Sequence, residues 1–85
     1  MTKITLKKPI KTPSGEVKAI TLTRESTRRD LKAAQQITSN EEDQVWHMIC
    51  SLSAEKLTIE DTEELTLADM RQVMDTFRKV SGLGD

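Results

Sequence analysis

The chain has one cysteine, one histidine, one tryptophan, one phenylalanine and no tyrosine. A single cysteine cannot close an internal disulfide, which excludes the stapled scaffolds of oxidising compartments. Two prolines and three glycines leave no low-complexity linker. No stretch approaches the ~20 apolar residues of a membrane span, and no apolar run follows the lysines of "MTKITLKK". Neither a membrane anchor nor a signal peptide is therefore expected, and the expected location is a bacterial cytoplasm. P-loop, dinucleotide, HExxH and GxSxG motifs are all absent. The expectation is a protein that is not an enzyme and needs no cofactor.

What is present is modest. At 85 residues and 35% hydrophobic content the chain makes one domain with a thin core, since so small a domain buries only about 60–65% of its unfolded surface. A net charge of −1 gives no general steering toward nucleic acid or anionic lipid. The charges are nevertheless segregated. Residues 1–32 hold nine Lys or Arg against three Asp or Glu, a balance of +6, and residues 33–85 hold four against eleven, a balance of −7.

Periodicity places the elements. Ile4, Leu6 and Ile10 alternate with polar residues, as do Val17, Ile20 and Leu22. Pro9 marks the end of the first strand or an exposed edge, and "KTPSGE" supplies a turn with Pro13 at its second position. This predicts a β-hairpin over residues 1–23. The period then changes. Thr27 with Asp30 makes a capping box for a first helix over 27–38, carrying Leu31, Ala34 and Ile37. Asn40 caps a second helix over 41–53, whose acidic first turn suits the helix dipole. Thr58 with Asp61 starts a short helix over 59–65. Thr66 with Asp69 opens a terminal helix over 67–81, where Leu67, Met70, Val73, Met74, Phe77 and Val80 form one stripe. Gly82 stops that helix, with Leu83 placed to fold back on it. The fold class is α+β: a small single domain, an N-terminal β-hairpin followed by three to four α-helices.

The stretch "NEEDQVWHMICSL" gathers the only Trp, His and Cys within five positions. A metal site would need ligands beyond His47 and Cys50, and no other Cys or His exists. A Cys–His nucleophile would need an orienting group and an oxyanion hole. Cys50 reads instead as a small hydrophobe. At 100° per residue, Val45, Trp46, Met48, Ile49, Cys50 and Leu52 cover about 200°, twice what one buried stripe needs. The helix is buried on more than one side, or part of its face meets another chain. Trp46, Met48, Ile49 and Leu52, with Met70, Met74 and Phe77, are the candidate partner-binding residues. The basic cluster of Arg24, Arg28, Arg29 and Lys32 has no interleaved aromatics and reads as a solvated face.

The order of these elements resembles the tail assembly chaperones of Mu-type and related contractile-tailed bacteriophages. The residues that carry the resemblance are the "LTRESTRRDL" join (Leu22, Arg24, Glu25, Thr27, Asp30, Leu31) and "LTLADM" at the start of the last helix. Ser26 departs from the proline expected in many members. The resemblance implies a protein that binds the tape-measure protein and keeps it soluble during tail morphogenesis. Tail tube subunits then displace it, and it is absent from the mature virion. It also implies a homo-oligomer in the host cytoplasm. The alternatives are a small nucleic-acid-binding module or a dimeric regulatory adaptor. The opposed charges of the two halves suggest head-to-tail pairing of copies. Light scattering should show particles that shrink as salt rises; a size independent of salt would refute such pairing.

Overall fold

The computed structural model describes residues 2–82. Strands β1 (Thr2–Thr12) and β2 (Gly15–Leu22) form an antiparallel hairpin. Helices α1 (Arg28–Ile37), α2 (Glu41–Leu52), α3 (Ile59–Thr62) and α4 (Leu67–Ser81) follow. The α+β architecture expected from the sequence is thus the one observed. The hairpin turns tightly on Pro13 and Ser14. Gly15 sits at φ 129, where a side chain would strain the backbone. One face of the hairpin buries Ile4, Leu6, Ile10, Val17, Ile20 and Leu22. Against it lie Val45, Trp46, Met48, Ile49 and Leu52 of α2, Ala34 of α1, Leu57, and Val73, Met74 and Phe77 of α4. Burying each large aliphatic or aromatic side chain contributes about 1.5–3 kcal/mol, so this single cluster supplies most of the driving force.

Pro9 does not end β1. The strand runs on to Thr12, but its pairing lapses in the middle, between Thr5 opposite Ala19 and Ile10 opposite Val17. Four residues, Leu6 to Pro9, therefore face the single Lys18. Pro9 has no N–H to give to a ladder. In a regular strand the next two amides, those of Lys7 and Lys8, would point to opposite edges. Here both are collected by one carboxylate. The Lys7 N–H donates to Oδ1 of Asp69 and the Lys8 N–H to Oδ2, each at 3.0 Å.

Asp69 was expected to complete a capping box with Thr66, and it does half of that. Its own N–H donates to Thr66 Oγ1 at 3.2 Å, but its carboxylate is turned to β1 instead of back to the cap. The side chain is fully buried. The two complete boxes are at α1, where Thr27 and Asp30 satisfy each other, and at α3, where Thr58 and Asp61 do. Asn40 caps α2 through the Asp43 N–H at 3.0 Å. α4 ends at Gly82 in the left-handed region, φ 72, as its C-cap requires. The expected return of Leu83 onto this helix lies outside the described residues.

One further helix is shorter than expected, and two apolar residues expected to be covered are exposed. α3 closes after a single turn at Thr62, and Leu65 follows in a turn as a half-buried residue. Ile37 and Leu67, read as parts of buried stripes, are 63% and 69% exposed. Ile37 is the last residue of α1 and Leu67 the first of α4, so each stripe overshoots the core by one position. The free edge of β2 is closed by the segment after α2: Thr23 N–H donates to Leu52 O, Ala54 N–H to Thr21 O, and Thr21 N–H to Glu55 Oε1. Ser26 donates its hydroxyl to that of Ser81 at 2.8 Å, tying the entry of α1 to the end of α4.

The amides of Lys7 and Lys8 hold the Asp69 carboxyl below its ordinary value of 3.8. A depressed folded-state value means that the stabilisation is present above pH ~4 and is lost as pH falls from there. Asp69→Asn keeps one acceptor but turns an NH2 group toward a backbone donor. It should lower the thermal midpoint at pH 7 by about 8 °C or more, and the gap from wild type should narrow as pH drops below about 4. Circular dichroism melts at pH 7 and pH 3 check this; an unchanged midpoint at pH 7 would refute the role.

Candidate partner-binding site

The width of the apolar arc on α2 has a direct cause. α2 packs against α1, α3, α4 and β2 at once, so it is the central helix of the domain. Its own chain covers the arc. Of the seven candidate residues, Met48, Ile49, Leu52 and Phe77 are at most 2% exposed, and Trp46 and Met74 are 7% and 8% exposed. Met70 alone is half-buried. Of the two readings of the arc, burial on more than one side is the one the packing shows. What remains open lies at the margins of this core.

One margin is a cleft of roughly 190 Å³ among the first turns of α2, the single turn of α3 and the start of α4. Trp46, Ile59 and Met70 supply its apolar lining, and Thr62 lies among them with its hydroxyl donated to the Ile59 carbonyl at 2.6 Å. Glu42, Asp43 and Glu63 form an exposed acidic rim. Among the described residues none of these three carboxylates is in an ion pair. The structure therefore joins Trp46 and Met70 at one place. It sends Met48 to a separate hollow with Ser26, Thr27, Arg28, Leu31 and Ser81, and leaves Ile49, Leu52, Met74 and Phe77 inside. Sequence reasoning missed Ile59, Thr62 and Glu63. Ile59 and Thr62 are three apart, which puts them on one face of a helix, but a four-residue helix is too short for periodicity to stand out.

The opposite charge collects at the other end. α1 and α2 are joined by three residues, 38–40, and pack side by side. The start of α1 thus lies about 15 Å from the start of α2. There Arg24, Arg28 and Arg29 surround a shallow hollow with Thr27 and Asp30. Arg24 is already spent: its guanidinium donates to both carboxylate oxygens of Asp30 at 2.7 and 3.0 Å. That bidentate bond, with the Thr27 amide, holds the Asp30 carboxyl well below the usual carboxylate range.

No set of three or more His, Cys, Asp or Glu poised for a metal occurs among the described residues. Burial, with a smaller contribution from the nearby charge of Asp61, pushes the Cys50 thiol up to about 11.

Compared with known proteins, residues 3–82 match the model of a family described as phage tail assembly chaperone proteins, E, or 41 or 14. No curated protein and no solved structure matches the chain.

At pH 8 a thiol of that basicity is roughly one part in a thousand thiolate. Cys50 should therefore react with a disulfide reagent about 100-fold more slowly in the folded protein than in denaturant. Equal rates in the two states would contradict the burial described.

Proposed function

We propose, from the premise that this chain belongs to the phage tail assembly chaperone family, that it binds the tape-measure protein and keeps it soluble while a tail is built. Tail tube subunits displace it as they polymerise, and it does not enter the mature virion. It acts in the host cytoplasm, without catalysis and without a cofactor. The observation that carries this reading is the family match, which spans all but five residues of the chain.

The physical properties of the domain support it. A long apolar helical segment in water aggregates unless its oily face is covered. A domain that hides most of its own apolar surface and leaves only small hollows offers each partner segment a limited contact area, and hence modest affinity per copy. Many copies along one long chain then protect it collectively, and a polymerising tube can strip them off one at a time. Contacts between neighbouring copies, through the opposed charges of their two ends, would add to that protection. The nucleic-acid alternative is weakened by the tie between Arg24 and Asp30, which places a carboxylate inside the basic cluster.

Co-expression with the tape-measure protein of the same phage tests the proposal. The tape-measure protein should move from the insoluble to the soluble fraction only when this chain is present, and the two should co-elute. Adding tube protein should release the chain. A tape-measure protein equally soluble without it, or insoluble with it, would overturn the reading.

A further inference from the structure

We infer that the cleft of Trp46, Ile59 and Met70 is the docking point for a cation-flanked amphipathic helix. That helix would seat one or two aliphatic side chains in the cleft and set Lys or Arg against Glu42, Asp43 and Glu63. The inference rests on the proposed role and names the chemistry of the segment bound.

Three observations point to this occupant. Trp46, Ile59 and Met70 give the cleft an apolar floor, and Trp46, though 7% exposed overall, is part of it. The apolar surface continues outward: Leu67, 69% exposed, lies one turn before Met70 on α4. A helix approaching the cleft would cover both. The rim then decides the sign of charge. Its three carboxylates are exposed and have no ion-pair partner among the described residues, so an anionic segment is repelled and a cationic one attracted.

A second copy fits less well. The basic end of this chain has Arg24 tied to Asp30, and its apolar residues Leu31 and Met48 are half-buried and buried. It has no exposed aliphatic side chain to fill the cleft. Ile37, the other exposed large apolar residue among the described residues, lies at the far end of α1, away from the arginines.

Trp46 is the only tryptophan in the chain and reports on the site directly. The probe is a helical peptide of about 18 residues with leucines one turn apart and lysines flanking them. Titration should shift the Trp46 emission, and a peptide with glutamates in place of the lysines should not. Glu42→Lys with Glu63→Lys should weaken peptide binding by about tenfold or more, as should Leu67→Ala in smaller measure. Glu63→Lys alone serves if the double variant fails to fold. Arg28→Glu with Arg29→Glu should leave binding unchanged. The same variants are then carried into the tape-measure complex. If wild type holds the tape-measure protein and the cleft variants hold it equally well, the cleft assignment fails while the proposed function stands. If the peptide binds as described but no tape-measure complex forms, the function fails instead. An emission shift that depends on protein concentration alone would identify a second copy as the occupant and overturn the inference.

Discussion

The buried carboxylate of Asp69 is the constraint on which the arrangement of this domain turns. A two-stranded hairpin is marginal in water and needs something to rest on. Hydrophobic contact alone would let it slide on the helices, because such contact is non-directional. Asp69 gives the contact a register. It accepts the amides of Lys7 and Lys8 from the slack portion of β1, and its own amide is anchored to the N-cap of α4 through Thr66. The last helix thus grips the first strand through Asp69, more than sixty residues away in sequence, and Gln72 adds a longer bond from its amide to the Thr5 carbonyl at 3.4 Å. The slack in β1 follows from this arrangement: with Pro9 unable to donate, the strand gives up pairing with β2 over the stretch where α4 takes the amides.

Once the hairpin is pinned at one edge and the segment after α2 closes the other, the apolar side of α2 is covered. It becomes the axis of the molecule, and its wide apolar arc is spent on internal packing. This has a consequence for partner binding. A small domain that buries its central helix so fully has only seams to offer, places where one element ends before its neighbour does. The seam at the start of α2 is open because α3 is a single turn and α4 begins beside it, leaving Trp46, Ile59 and Met70 partly uncovered. The seam at the start of α1 is lined by Arg28 and by the hydrogen-bonded pair Ser26 and Ser81.

Local chemistry was legible in the sequence, and long-range chemistry was not. The capping boxes at Thr27 and Thr58, the Asn40 cap, the Gly82 stop and the alternation of Ile4, Leu6 and Ile10 depend on residues within a few positions of one another. Each was readable from spacing. Asp69 sits at the same spacing from Thr66 and was read the same way. Its carboxylate went elsewhere because two amides in a distant strand lacked acceptors, and no short window contains both facts. The arc on α2 shows the same limit. Periodicity measures how much of a helix is covered, but not whether its own chain or another does the covering. That is why most of the candidate residues turned out to be core, and why Ile59 and Glu63, which matter only through their neighbours in space, were passed over.

The charges bear on the remaining seam. Glu41, Glu42 and Asp43 have a folding rationale, since carboxylates in the first turn of α2 complement its dipole. Glu63 has none of that kind. It occupies the C-cap of α3, where the dipole favours a cation, and it faces the carboxylates of α2 across the same cleft. Stability would be better served by a lysine there, which would relieve like-charge repulsion and reward the helix end. A residue that opposes local stability and lines an apolar cleft is most simply understood as serving what enters the cleft. The dipole of α2 accounts for the acids on one wall; the acid on the other has no such local rationale and agrees with the proposed cationic occupant.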